Sequence, residues 1–100
     1  MKQEIFNSYV VEILNLFRIT REDLFSKNKE SSLVDARQLL YYLCKDRPMR
    51  VTRIQEYMAE NGYDISHSTI IYGIRSIEEK MKHDDDYMEV VNRVKRWATT

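Results

Sequence analysis

Residues 62–74 read GYDISHSTIIYGI and set the imidazole of His67 among three hydroxyls, Ser66, Ser68 and Thr69. Three kinds of chemistry use such groups. A histidine beside a serine can belong to a nucleophilic site. A serine just ahead of an apolar helical pattern can cap a helix by accepting from its free backbone N–H groups. A row of hydroxyls and an imidazole at a helix tip can hydrogen-bond base edges and phosphates, and a threonine methyl can rest on a thymine methyl. The nucleophilic reading has the least behind it. Neighbouring helical side chains point about 100° apart, and no oxyanion-hole motif or third catalytic member is evident. The expectation is therefore that the chain is not an enzyme. The capping and the DNA-contacting readings both stay open at this level, because serine and threonine are common in first turns for capping alone.

Other candidate chemistry is thinner. HDDD, residues 83–86, could suggest a metal site, but three acids opening a helix are accounted for by the helix dipole. Cys44 is the single cysteine, which leaves neither an internal disulfide nor a cysteine zinc site, and its position on an apolar stripe makes it a small core residue. Gly62 and Gly73 are the only glycines and cannot supply the G-x-x-x-x-G-K-[ST] phosphate loop. No cofactor, metal or nucleotide is expected, nor ATP-driven melting of a duplex by this chain.

The elements that must position these groups follow from composition and period. With 2 Gly, 1 Pro and 43% apolar residues in a chain of 100, a mostly helical single domain is expected. Residues 3–17 place Ile5, Tyr9, Ile13 and Leu16 at helical spacing. Thr20 with Asp23 makes a capping-box arrangement for a short second helix, and residues 26–32 read as a polar loop. A third helix over about 33–46 carries the stripe Leu33, Ala36, Leu39, Leu40, Leu43 and Cys44, with Pro48 beyond its end. Tyr41 and Tyr42 are adjacent, so at most one can point fully inward. Thr52 with Gln55 reads as a capping box that opens a fourth helix with Ile54, Tyr57 and Met58 inside. Gly62 stands where a C-terminal cap glycine belongs. Ser66 can cap a long fifth helix with Ile70, Ile74, Ile77 and Met81 as its core stripe. Gly73 inside that helix implies the close approach of another helix. A final helix begins at the acids and carries Tyr87, Val90, Val91 and Val94 inward, with Lys95 and Arg96 at the end the dipole favours. Trp97 either packs on the first helix or stays exposed.

Thr52 to Met81 is thus helix, glycine turn, longer helix, the order of a helix-turn-helix whose second helix enters the DNA major groove. The face opposite the core stripe carries Ser68, Tyr72, Arg75 and Glu79. Sixteen basic and sixteen acidic residues cancel, so DNA binding has to rest on a local patch. No apolar run approaches about 18 residues, and MKQEIFNSYV is too polar for a signal peptide. The expected setting is cytoplasmic and nucleoid-associated.

These residues resemble the C-terminal DNA-binding domain of DnaA, the bacterial chromosomal replication initiator. Within SHSTIIYGIRSI, His67, Ser68, Thr69, Ile70, Ile71, Arg75 and Ile77 match the family signature in order and spacing. Upstream, ITREDLFSKNKESSLVDARQLLYYLCKD is similar to the family's short helix, basic loop and A-R-Q helix, so the resemblance covers about residues 19–82. It implies an all-α, Trp-repressor-like fold for that region; with the helices read from periodicity on either side, an N-terminal one over 1–18 and a C-terminal one over 83–100, a bundle of five to six helices is expected. It also implies a partner, double-stranded DNA. His67, Ser68 and Thr69 would face the groove; Ser66 at the tip and Tyr72 on the outward helix face join them as candidate contacts by position. Lys27 and Lys29 would approach phosphate or the minor groove, Arg37 and Lys45 would grip the backbone, and Arg75 would meet a phosphate.

The departures from the family also carry meaning. Ser66 stands where the family usually has Asp, which removes one base acceptor, and Ile65 stands where a basic residue is usual. Glu30 and Asp35 lie among the loop lysines. Fewer cations release fewer counterions, so affinity should be lower and less salt-dependent than in the family. The expectation is a stand-alone factor of replication or transcription without ATPase, acting on duplex DNA. The competing expectation is an interaction module of the same fold, with replication or transcription proteins or a second copy as its partner.

Overall fold

Arg18 shows how locally the chain's direction is set. It adopts a left-handed backbone, φ 54°, and lets the Ile19 N–H return to the Leu14 carbonyl at 3.1 Å. This ends the first of six helices in the computed structural model, which describes residues 2–98. The helices are α1 (Lys2–Phe17), α2 (Arg21–Leu24), α3 (Ser31–Asp46), α4 (Val51–Glu60), α5 (His67–His83) and α6 (Asp85–Ala98), and no strand occurs among the described residues.

Short-range chemistry sets most of these ends. Thr20 Oγ1 accepts from the Asp23 N–H while Asp23 Oδ2 accepts from the Thr20 N–H, so the expected reciprocal cap is present. Gly62, at φ 84°, closes α4: its N–H donates to the Ala59 carbonyl and the Tyr63 N–H to that of Met58. This is the Schellman arrangement, which needs a residue free to turn left-handed. Asp84 is a one-residue elbow between α5 and α6, and its Oδ1 accepts from the Tyr87 N–H at 3.0 Å. Asp85 and Asp86 then lie in the first turn of α6 and Lys95 and Arg96 in the last, the sense in which charges are favoured by the helix dipole.

The α4 cap departs from expectation. Arg50, not Thr52, is its N-cap residue and no side chain caps it. The Thr52–Gln55 pair is used instead to hold α5, as described below.

A single core joins the helices. The stripe read on α3 is buried throughout, as are Ile54, Tyr57 and Met58 on α4 and Ile70, Ile74 and Ile77 on α5. Each fully buried aliphatic contributes about 1.5–3 kcal/mol of transfer free energy. Tyr41 is buried and Tyr42 only half-buried, as adjacency on one helix requires. On α1 the stripe is rotated from the one expected: Phe6, Tyr9, Val10 and Ile13 are buried whereas Leu16 is 43% exposed. The rings of Phe6 and Tyr57 pack at a tilt, with centroids 5.2 Å apart. Trp97 stays exposed, with the Arg93 guanidinium 5.9 Å from its ring.

α5 lies against α3 along its length. A β-carbon at Gly73 would stand 2.9 Å from Tyr41 Cδ2 and 3.1 Å from Gln38 Cγ, so only hydrogen fits between the helices. Further along, Lys80 Nζ meets Asp35 Oδ1 at 2.9 Å. α6 is tied back to α3 by Lys95, which reaches Asp46 Oδ2 at 3.3 Å and the Tyr42 hydroxyl at 3.4 Å. No helix among the described residues is long and apolar enough to cross a membrane.

Candidate nucleic-acid interface

The tip of α5 is built by Ser66. Its Oγ accepts from the Thr69 N–H at 3.2 Å and also lies 3.1 Å from Thr69 Oγ1. The cap uses one of the free backbone donors that open every helix and leaves others facing outward. His67, Ser68 and Thr69 are all exposed. The tip is held from behind by α4. Gln55 Nε2 donates to the Ile65 carbonyl at 2.7 Å, and His67 Nε2 lies 3.5 Å from Thr52 Oγ1. The imidazole therefore leans toward Thr52 and not toward Ser68. Beyond the first turn, Ile71, Tyr72 and Arg75 are exposed on the outward side, Tyr72 by 68%.

The loop between α2 and α3, residues 25–30, lies beside this tip. Lys29, Val34, Gln38, Tyr63, Thr69 and Tyr72 line one small cleft, with parts of Arg37 and Tyr41 in its wall. Lys29 and the α5 tip thus share a concave surface although 38 or more residues separate them in sequence. Lys27 is turned differently. Its Nζ lies 3.5 Å from the Asp64 carbonyl and 5.0 Å from the Tyr63 ring, across the turn between α4 and α5. Lys45 is exposed in the last turn of α3, at the other end of that helix from Lys29. Among the described residues, no ion pair engages Lys27, Lys29, Lys45, Arg50 or Arg75.

Arg37 corrects the expectation placed on it. It is 3% exposed, so its guanidinium cannot lie on a DNA backbone. All its nitrogens are taken up by the α2–α3 segment. Nε donates to the Leu24 carbonyl at 2.7 Å and Nη1 to that of Asn28 at 2.8 Å. Nη2 donates to Ser26 O at 2.8 Å and Asp23 O at 3.1 Å. A charged group is buried at tolerable cost only when its donors are satisfied in this way.

A second surface borders the tip. Arg50, Thr52, Arg53 and Glu56 form a shallow groove at the start of α4, beside His67; Arg53 is paired there with Glu56 at 3.5 Å. The signal for Thr52 and Gln55 was present but is used for a different purpose. Charge is unevenly spread along the chain: nine basic and five acidic residues fall in 18–53, whereas residues 54–98 hold six basic and nine acidic. The acids of HDDD lie away from the tip, at the elbow, with His83 Nε2 3.0 Å from Glu79 Oε1.

A family model described as the bacterial dnaA protein helix-turn-helix matches residues 10–77. Among curated proteins, the chain is 31% identical over 80 residues to the chromosomal replication initiator protein DnaA of Jannaschia sp. (strain CCS1), covering 80% of this chain and 16% of that protein. It is 28% identical to the protein of the same name from Corynebacterium jeikeium (strain K411), over 95% of this chain and 17% of that one. The DnaA of Aquifex aeolicus (strain VF5) is 28% identical over 86% of this chain and 21% of its own length. The chain thus spans about a sixth to a fifth of the length of these relatives.

Proposed function

The chain belongs to the bacterial dnaA protein helix-turn-helix family, and from that premise we propose that it binds duplex DNA with the N-terminal tip of α5. The observation that carries this reading is the exposed run His67-Ser68-Thr69, which opens a helix capped by Ser66 and whose Thr69 shares a cleft with Lys29. Outward-facing N–H groups and the positive end of the helix dipole attract phosphate there. The side chains of the first turn meet base edges in the major groove, and Ile71 and Tyr72 extend the contact along the helix. Lys29 and Arg75 take phosphates on either side of the tip, with Lys27 and Lys45 as further cations. Phosphate contacts place the protein, and the tip carries what sequence information is read.

These 100 residues contain no glycine-rich phosphate loop. The segment therefore acts by occupying DNA or by recruiting other factors, in replication or transcription. Replication is the setting that the relatives' names favour.

Fluorescence anisotropy with mixed duplexes at low and moderate salt tests the reading. Binding should weaken with salt and be lost in His67→Ala/Thr69→Ala while helicity is kept. Binding untouched by that pair would move the site elsewhere on the molecule. Absence of binding at low salt would favour the second reading, a protein interaction module, which the zero formal charge and Glu30 beside Lys29 support. Selection from a random duplex pool then identifies the preferred sequence.

A further inference from the structure

On the reading that the α5 tip meets DNA, we infer that Arg37 is a positioning residue: it holds the α2–α3 loop so that Lys29 reaches duplex phosphate, without touching the duplex itself. Every acceptor of its guanidinium lies in residues 23–28, immediately ahead of Lys29. Four are carbonyls, and they converge on one planar fork. A loop with its carbonyls gathered in this way has one shape, and that shape delivers Lys29 to the cleft beside Thr69 and Tyr72.

The loop is fixed a second time through Tyr63. The Arg37 guanidinium carbon and Lys27 Nζ each lie 5.0 Å from the Tyr63 ring centroid. Tyr63 is the buried residue whose N–H closes the Schellman turn of α4. The loop and the helix-turn-helix are therefore locked together at one aromatic ring. Lysine at position 37 would keep the charge but not the fork, because an ammonium presents its donors from a single point. Lys29 itself is exposed and makes no hydrogen bond or ion pair among the described residues.

The test uses the full chain, a mixed duplex as probe, and Arg37→Lys, Lys29→Ala and the two combined. Affinity is measured across a salt series, and trypsin cleavage after Lys27 and Lys29 is followed under native conditions, with helicity checked by circular dichroism. Lys29→Ala should weaken binding about tenfold, the loss of one charge-assisted contact, and lower the salt slope by about 1. Arg37→Lys should give nearly the same loss despite its retained charge, the combination should add little, and loop cleavage should accelerate several-fold. Additive losses, wild-type affinity in Arg37→Lys, or unchanged cleavage in a folded variant overturn the inference. If Arg37→Lys does not fold, Tyr63→Leu replaces it, with the same expectations and the same overturning results. Failure of the unsubstituted chain to bind at low salt overturns the DNA reading along with this one. Normal binding with an indifferent Arg37→Lys overturns this one alone.

Discussion

The ring of Tyr41 occupies the space where a side chain at Gly73 would begin, 2.9 Å from the position of its β-carbon. Tyr41 is buried on α3, so it cannot swing aside into solvent. Gly73→Ala should gain about 1 kcal/mol of helix propensity and lose about 1–3 kcal/mol to overpacking. The expected net effect is destabilisation of about 1 kcal/mol, a melting temperature lower by roughly 4–8 °C. Thermal denaturation followed by circular dichroism checks this; a more stable variant would show that α5 can lift from α3.

Ser66→Asp should leave stability unchanged and alter DNA preference. Asp and Ser are about equally good at a helix N-cap, and the Thr69 N–H is already aimed at this position. The carboxylate would restore the acceptor usual in the family, which suits a cytosine amino group. Selected duplex pools from the two proteins should differ at one or two positions. Ser66→Ala should instead lower stability by about 1 kcal/mol.

Gln55→Ala should disturb the tip from behind. Its amide holds the Ile65 carbonyl at 2.7 Å in a partly buried setting, so truncation leaves that carbonyl unpaired at a cost of about 1–3 kcal/mol. Hydrogen exchange should quicken in the first turn of α5 more than in α1. Thr52→Ala, whose link to His67 is long and exposed, should cost under about 0.5 kcal/mol.

Much of the fold is legible in the chain because its causes are local. The α3 and α5 stripes, the Thr20–Asp23 box, the turn at Gly62 and the Ser66 cap each depend on residues within a few positions of one another. The misreadings have longer-range causes. Thr52 and Gln55 have the spacing of a capping box, but Ile65 and His67, brought back by the turn, take both side chains. Arg37 looks like surface because charged residues seldom leave it; only the folded loop supplies the carbonyls that let it do so. On α1 two overlapping apolar stripes compete. Leu16 belongs to one, Phe6 and Val10 to the other, and the rings and chains of the neighbouring helices decide between them. The cleft that joins Lys29 to Thr69 and Tyr72 has no signature in sequence spacing.

Stability should decline in alkali. Burial pushes the Cys44 thiol well above its ordinary 9.0. Burial, with Tyr63 adding to it and Arg37 opposing, raises Tyr41 above its ordinary 10.0. Burial also pushes Tyr87 up to about 12, helped by the negative charge of Asp35. In the unfolded chain these groups ionise near their ordinary values; in the folded chain they keep their protons. The folded state therefore binds more protons above pH ~9, and stability falls as pH rises from there toward about 12. Urea midpoints at pH 8, 9.5 and 10.5 should decrease in order, with a shallower decline in Cys44→Ala. At pH 8 a thiol reagent should label Cys44 only after denaturant is added; rapid labelling of the native chain would contradict its burial.

Both arms of the proposed grip hang from one helix. α3 anchors the lysine-bearing loop through Arg37 and seats α5 through Tyr41 and Asp35. No hinge separates the two, so they keep a constant span, as the jaws of a fixed gauge do. If the proposed grip holds DNA, a duplex of the wrong curvature or groove width would have to bend to fit or go unbound, and the shape of the DNA would then be a criterion of selection alongside any bases read at the tip.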